Sequence, residues 1–284
     1  MSAATTTKHE LKCMEIWSGH RSVENVAASP GLDAWIFSQP YQGEATGGDV
    51  HYLSLCVGGI VTRLVLADVS GHGSVVAETS ATLRTLLRRF MNAKRQDRLV
   101  GEINREFTTL EQTGRFATAI VMTYLSHRNS LLLTNAGHPH PLLYRHLNHS
   151  WSLLEPQATD SGSESTGLKN MPCGIVDSSA YSNVTLPIID GDMLVLYTDA
   201  FSEARNSDNQ MLGEEGLLKL ANSLPGDLPC EEFGRRLRQA VAEFSMHFSS
   251  DDETLIVIRF GKGRKSPGLK ERLHGYKSLL FGVG

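Results

Sequence analysis

Residues 50–91 read VHYLSLCVGGIVTRLVLADVSGHGSVVAETSATLRTLLRRFM, and the change of texture inside that stretch decides the fold. Residues 50–56 and 60–67 are apolar, β-branched runs of strand length. Val57-Gly58-Gly59 between them is a tight-turn signal, so the two runs read as a hairpin. After Gly71-His72-Gly73 the period changes. Val76, Ser80, Leu83, Leu87 and Phe90 recur at three- and four-residue steps, while Arg84, Arg88 and Arg89 take much of the other face. Residues 75–91 are therefore expected to form an amphipathic helix.

The same alternation of textures continues outward. Residues 33–38 read as an earlier strand, and residues 99–110 as a second helix through Val100, Ile103, Phe107 and Leu110. Strands resume at 116–124, 130–135 and 142–144, with a turn at Gly137-His138-Pro139. Residues 157–174 are rich in Gly and Ser and read as a surface loop. Strands at 181–186 and 193–198, helices around 214–223 and 230–248, and a strand at 254–260 complete the series. The order is strands, two helices, strands, two helices, strand. Short turns between sequential strands favour antiparallel pairing, and helix pairs split by runs of strands favour one pair covering each sheet. The expected class is α+β, a two-sheet sandwich flanked by helices, rather than a doubly wound parallel sheet.

Residues 1–30 are polar and mixed and read as an extension, residues 31–260 as the folded domain, and residues 261–284 as a basic tail. The tail carries Lys262, Arg264, Lys265, Lys270, Arg272 and Lys277 against Glu271, and ends in Leu279-Leu280-Phe281. Such a segment can dock on an acidic partner or a membrane surface, or simply fray.

The chain has 284 residues, 40% hydrophobic and 20% charged, with a formal charge of -4. That balance argues against wholesale nucleic-acid binding, which needs a concentrated basic face. Cys13, Cys56, Cys173 and Cys230 lie far apart with no C-x-x-C spacing, which disfavours a zinc site or a disulfide framework and favours a reducing cytosol. No signal-peptide apolar region opens the chain, and no apolar run is long enough to span a bilayer. A soluble cytoplasmic protein is expected.

The chemistry lies in aspartates placed beside strands. Asp49 follows Gly47-Gly48 and precedes the 50–56 strand, and Asp68 ends the 60–67 strand. Asp199 ends the 193–198 strand, and Asp251-Asp252 precede the last one. An Asp in such a place is also a common turn or helix-cap residue, and Asp190-Gly191-Asp192 reads as an ordinary turn. If the strands are neighbours, however, their ends bring these carboxylates to one rim. Two like charges about 4 Å apart repel by roughly 4 kcal/mol at an effective dielectric near 20. Hard divalent ions relieve that repulsion through oxygen ligands, and glycines let backbone carbonyls approach. Two ions about 3.5–4 Å apart suit phosphoester hydrolysis.

Six motifs in order resemble a known family: Gly47-Gly48-Asp49, Ala67-Asp68-Val69-Ser70-Gly71-His72-Gly73, Phe116-Ala117-Thr118-Ala119, Asn135-Ala136-Gly137-His138-Pro139, Tyr197-Thr198-Asp199-Ala200-Phe201-Ser202-Glu203-Ala204 and Asp251-Asp252-Glu253-Thr254. Together they are similar to the SpoIIE/RsbU-type bacterial branch of the metal-dependent (PPM, PP2C-like) serine/threonine phosphatases. The resemblance implies a four-layer αββα sandwich, two Mn²⁺ or Mg²⁺ ions, and hydrolysis of phosphoserine or phosphothreonine on a protein. It implies that Asp68 bridges both metals, that Asp49 and the Val69 carbonyl serve one, and that Asp199 and Asp251 serve the other. Asp251 rather than Asp252 takes this role because the family's ligand stands three residues before a hydroxyl residue, here Thr254. His138 reads as structural or supporting.

Two positions depart from the pattern. Tyr52 stands where relatives often carry a further acid, and Ser70 where the eukaryotic branch can carry a His acting as general acid. His72 is two residues on, and no general acid is assigned. Family substrates are typically phosphorylated STAS-domain antagonists of anti-sigma factors. No sensor or receiver domain fits ahead of the region, so control is expected from a partner, metal occupancy or the termini. Two other readings are a non-catalytic phosphoprotein-binding module of the same fold, and a metal-dependent hydrolase of small phosphoesters or nucleotides. A serine-hydrolase reading fails for want of a G-x-S-x-G elbow.

Overall fold

The structure is a computed structural model that describes residues 8–12, 15–56, 59–71, 76–91, 93, 95–110, 114–155, 169–245 and 251–263. His72, residues 57 and 58 of the expected hairpin turn, most of the 157–174 loop and the tail from residue 264 onward lie outside the described residues.

The elements in chain order are β1 (Lys8–Glu10), β2 (Ile16–Gly19), β3 (Val23–Ser29), β4 (Leu32–Gln39), β5 (Val50–Cys56), β6 (Val61–Val69), α1 (Ala77–Phe90), α2 (Gln96–Leu110), β7 (Ala117–Leu125), β8 (Ser130–Ala136), β9 (Leu142–Arg145), β10 (Ser150–Leu153), β11 (Val184–Pro187), β12 (Met193–Tyr197), α3 (Asp199–Ser202), α4 (Gly213–Ser223), α5 (Cys230–Ser245) and β13 (Glu253–Phe260). They form two sheets, ordered β1-β3-β4-β13-β12-β9-β10 and β11-β8-β7-β6-β5-β2. All the pairings of these strands are antiparallel except β1 with β3.

Why the strands read as nearly continuous apolar runs is visible in their two faces. On β6, Leu64 and Leu66 enter the core between the sheets, while Val65, Ala67 and Val69 pack under α1 and α2. On β4, Ala34 and Ile36 enter the same central core, and Trp35 and Phe37 pack under α4 and α5. Both faces of each sheet are covered, so period-2 alternation sorts apolar residues into two cores rather than into core and solvent. The result is the four-layer αββα sandwich that the element order predicts, with α1–α2 on one outer face and α4–α5 on the other.

Residues 8–29, polar in sequence and read as an extension, supply β1, β2 and β3 to the sheets. Their alternation is masked by short length and half-exposed edges. β3 shows only Val26 and Ala27 fully turned inward. β6 also runs two residues further than the sequence reading gave. Asp68 and Val69 continue to pair with Thr118 and Ala117 of β7, so Asp68 lies within the strand and not past its end.

Candidate metal centre

Asp49 precedes β5 and Asp68 lies near the end of its antiparallel neighbour β6, so the two belong to the same end of one sheet. Asp199 follows β12, and Asp251 precedes its antiparallel neighbour β13, so these belong to one end of the other sheet. The sandwich brings the two ends together. The Thr198 hydroxyl, one residue before Asp199, donates to Asp49 Oδ2 at 3.0 Å. The Thr198 hydroxyl oxygen in turn accepts from the amide of Thr254, three residues after Asp251, at 2.9 Å.

Asp252 fixes the Gly47-Gly48 segment. Its Oδ2 accepts from the Gly48 amide at 2.7 Å and its Oδ1 from the Tyr41 amide at 2.6 Å. A Cβ on Gly47 would stand 2.5 Å from Asp252 Oδ1, so glycine is required for the approach. A Cβ on Gly48 would stand 2.9 Å from the Val69 carbonyl oxygen and 3.1 Å from that of Gly71. Both carbonyls therefore face the Gly47-Gly48-Asp49 loop.

The electrostatics are those of carboxylates crowded with too little compensation. Burial, then the charge of Asp68, pushes the Asp49 carboxyl well above the usual range, although Thr254 and Thr198 hydrogen bonds oppose this. Asp49 is 3% exposed, and its Oδ1 is buried with no hydrogen-bond partner among the described residues. Asp68 is likewise pushed well up by burial and by Asp199, Asp251, Asp252 and Glu203. Burial, Asp251 and Glu203 raise Asp199 to about 6. This donor set suits a hard divalent cation: carboxylate oxygens, one of them orphaned, with the Val69 and Gly71 carbonyls close beside the Gly47-Gly48-Asp49 loop. Among the described residues no three His, Cys, Asp or Glu side chains already form a ligand group, so closing on an ion calls for side-chain rotation.

The structure thus brings Asp49, Asp68, Val69, Asp199 and Asp251 to one rim, while His72 lies outside the described residues. Tyr52 points away from it into the core under α1 and α2. The Ser70 hydroxyl accepts from the Phe116 amide at 3.1 Å and ties the loop to β7. Buried His138 shares a hydrogen bond of 2.9 Å with Thr118, which pairs across the sheet with Asp68. Burial pushes its imidazole down to about 3, so it is neutral. The residue reading assigned no role to Thr198 or Glu203, and it weighed Asp252 only as a ligand, not as the clamp on Gly48 and Tyr41. Thr198 is adjacent in sequence to a candidate ligand, and Glu203 stands four residues after Asp199, so spacing carried a usable signal for both.

These features define a class, an αββα sandwich with an acidic rim where its two sheets meet. Residues 59–261, well over half of the chain, match the family model of stage II sporulation protein E (SpoIIE), and the chain belongs to that family. Among solved structures it is similar to the RsbU and RsbW domains of a Mycobacterium tuberculosis protein, at TM-score 0.69 and 21% identity over 86% of this chain and 64% of that one. It is also similar to the PP2C phosphatase domain of Bacillus subtilis SpoIIE with a regulatory fragment, at TM-score 0.65 and 16% identity over 82% and 64%. A third is RsbX in complex with magnesium, at TM-score 0.58 and 14% identity over 84% and 100%. The chain spans just under two thirds of the length of the first two. No curated protein sequence matches it. The fold is that of a PP2C-type phosphatase domain.

Proposed function

We propose that the protein is a metal-dependent protein serine/threonine phosphatase that uses two Mn²⁺ or Mg²⁺ ions held by Asp49, Asp68, the Val69 carbonyl, Asp199 and Asp251. The observation that carries this reading is the buried, partnerless Oδ1 of Asp49 among carboxyls that raise one another's pKa. When bound, the ions supply Lewis acidity toward phosphoryl oxygens and lower the pKa of an attacking water.

The chain's own groups do the positioning. Thr198 holds one oxygen of Asp49 and leaves the other to turn toward an ion. Asp252 spends both oxygens on backbone amides, which suits a clamp and leaves the ligand role to Asp251. The raised pKa of Asp199 means that below about pH 6 cation binding must displace a proton there. His138, neutral and bonded to Thr118, supports the strand opposite Asp68.

A phosphorylated regulatory protein, of the STAS-domain antagonist type, is the proposed substrate, and the cytoplasm the proposed location. Among the described residues no helix is long and apolar enough to cross a membrane. The test is phosphate release from a phosphoserine-bearing STAS protein with Mn²⁺, with chelator, and with Asp68→Ala. Release that needs the metal and is lost in the variant is expected. A folded, metal-saturated protein inert on every phosphoprotein would instead favour a binding module.

A further inference from the structure

The rim opens sideways into a cleft of about 740 Å³ between the α3 region and α5. Asp199, Glu203 and Asp251 form its acidic end, and Arg205, Arg235 and Arg238, together with Glu24 and Glu253, line the part that leads away. A volume near the upper end of small-ligand sites, open to solvent, exceeds what a phosphate on the rim needs. The excess suits chain on one side of the phosphorylated residue.

The three arginines are not equivalent. Arg235 is taken by Glu24 at 2.6 Å and Glu231 at 2.9 Å. Arg238 lies 4.0 Å over the Phe37 ring and 3.6 Å from Glu253. Arg205 donates to the Asn209 carbonyl at 3.0 Å and, among the described residues, has no carboxylate partner. A neutral acceptor leaves its charge available. The segment that carries it is also set in place. The Asn206 side chain accepts from the Asp208 amide at 3.0 Å and the Gln210 amide at 2.9 Å, and Arg205 bridges Met211. The guanidinium is therefore presented at the cleft by an ordered loop, which reduces the entropy lost on binding.

We propose that this cleft receives the polypeptide flanking the phosphorylated residue of the substrate, and that Arg205 selects a segment carrying a carboxylate side chain. The proposal rests on the phosphatase reading above. The occupant follows from continuity and charge: the cleft begins at the rim, and beyond the acidic end, whose charge the proposed ions would neutralise, Arg205 is its one arginine without a carboxylate partner among the described residues, able to grip a carboxylate through two N–H donors. Arg205 acts on specificity, not on the reacting atoms.

The experiment uses the full chain with saturating Mn²⁺ and two phosphoserine peptides, one with glutamates flanking the phosphoserine and one with glutamines in their place. Wild type is expected to prefer the acid-flanked peptide in kcat/KM. Arg205→Glu should lower that preference by about fivefold or more, the scale of a partly exposed charge pair reversed, mainly through KM. Raising the salt concentration should erode the same preference. Equal kcat/KM for the two peptides in wild type, or an equal loss on both in Arg205→Glu, would overturn the proposal. If neither peptide is hydrolysed and the phosphoserine-bearing STAS protein is also left intact, the phosphatase reading fails; whenever the peptides are not hydrolysed, fluorescence anisotropy with the same labelled peptides decides the cleft by itself. Tighter binding of the acid-flanked peptide that Arg205→Glu abolishes supports it, and indistinguishable binding overturns it.

Discussion

At the scale of single residues, Thr198 shows how a small side chain sets the geometry of a charged site. A hydroxyl has one proton and two lone pairs, and this one donates to Asp49 and accepts from the Thr254 amide. Thr198→Val keeps the shape and deletes both bonds. It leaves a buried carboxylate oxygen and a buried amide unpaired, at about 1–3 kcal/mol each. Chemical denaturation should therefore show a loss of about 2–6 kcal/mol, which Thr198→Ser largely restores. A Val variant as stable as wild type would mean that water replaces both partners. In sequence Thr198 is only the last position of a strand pattern, because the group it serves is 149 residues away.

At the scale of elements, α5 sets propensity against packing. Its apolar stripe of Phe233, Leu237 and Val241 is readable in sequence and packs on β4 and β13 side chains. Gly234 is not explained by that stripe, since glycine inside a helix costs about 1 kcal/mol relative to alanine. The explanation is Trp35 of β4, whose ring lies where a Cβ at Gly234 would stand. Gly234→Ala should therefore destabilise by about 1–3 kcal/mol through overpacking, opposite in sign to the propensity expectation. Urea denaturation reads the sign directly, and a gain in stability would show that α5 can lift off the sheet at little cost. β10 makes the complementary point. Ser150–Leu153 has only Trp151 fully buried, and its pairing with β9 makes it a strand rather than any pattern of its own.

At the scale of the molecule, the rim is where both sheets carry unrelieved charge, so stability and cation binding are linked. Asp199 is raised to about 6, and Asp49 and Asp68 are raised too. The folded state therefore binds these protons more tightly than the unfolded chain, in which Asp titrates near about 3.9. The sign is the reverse of a salt-bridged Asp. Their contribution is most favourable at low pH and is lost as pH rises from about 4 through 6 and beyond. Chelator-treated protein should thus lose thermal midpoint from these groups as pH rises from about 5 to 7, and Mg²⁺ or Mn²⁺ should raise the midpoint more at the higher pH. Asp68→Asn should stabilise the chelated protein at neutral pH while removing most of the increment from metal. A variant that loses stability without metal and keeps the increment would show that Asp68 holds no cation.

Local chemistry in the sequence determined the two kinds of element, their order and the glycine-flanked aspartates. Period 2, period 3.6 and turn residues are properties of adjacent positions, and with the six motifs they specified the αββα class and the candidate ligands. Tertiary structure alone decided which strands are neighbours, and so which aspartates share a rim. It also decided that residues 8–29 enter the sheets, that Asp252 clamps Gly48 while Asp251 stays at the rim, and that Arg205 lines a cleft opening from that rim. These are long-range pairings, fixed by how two sheets close over a common core. The burial that raises the pKa of the rim carboxyls exists only once that core has formed.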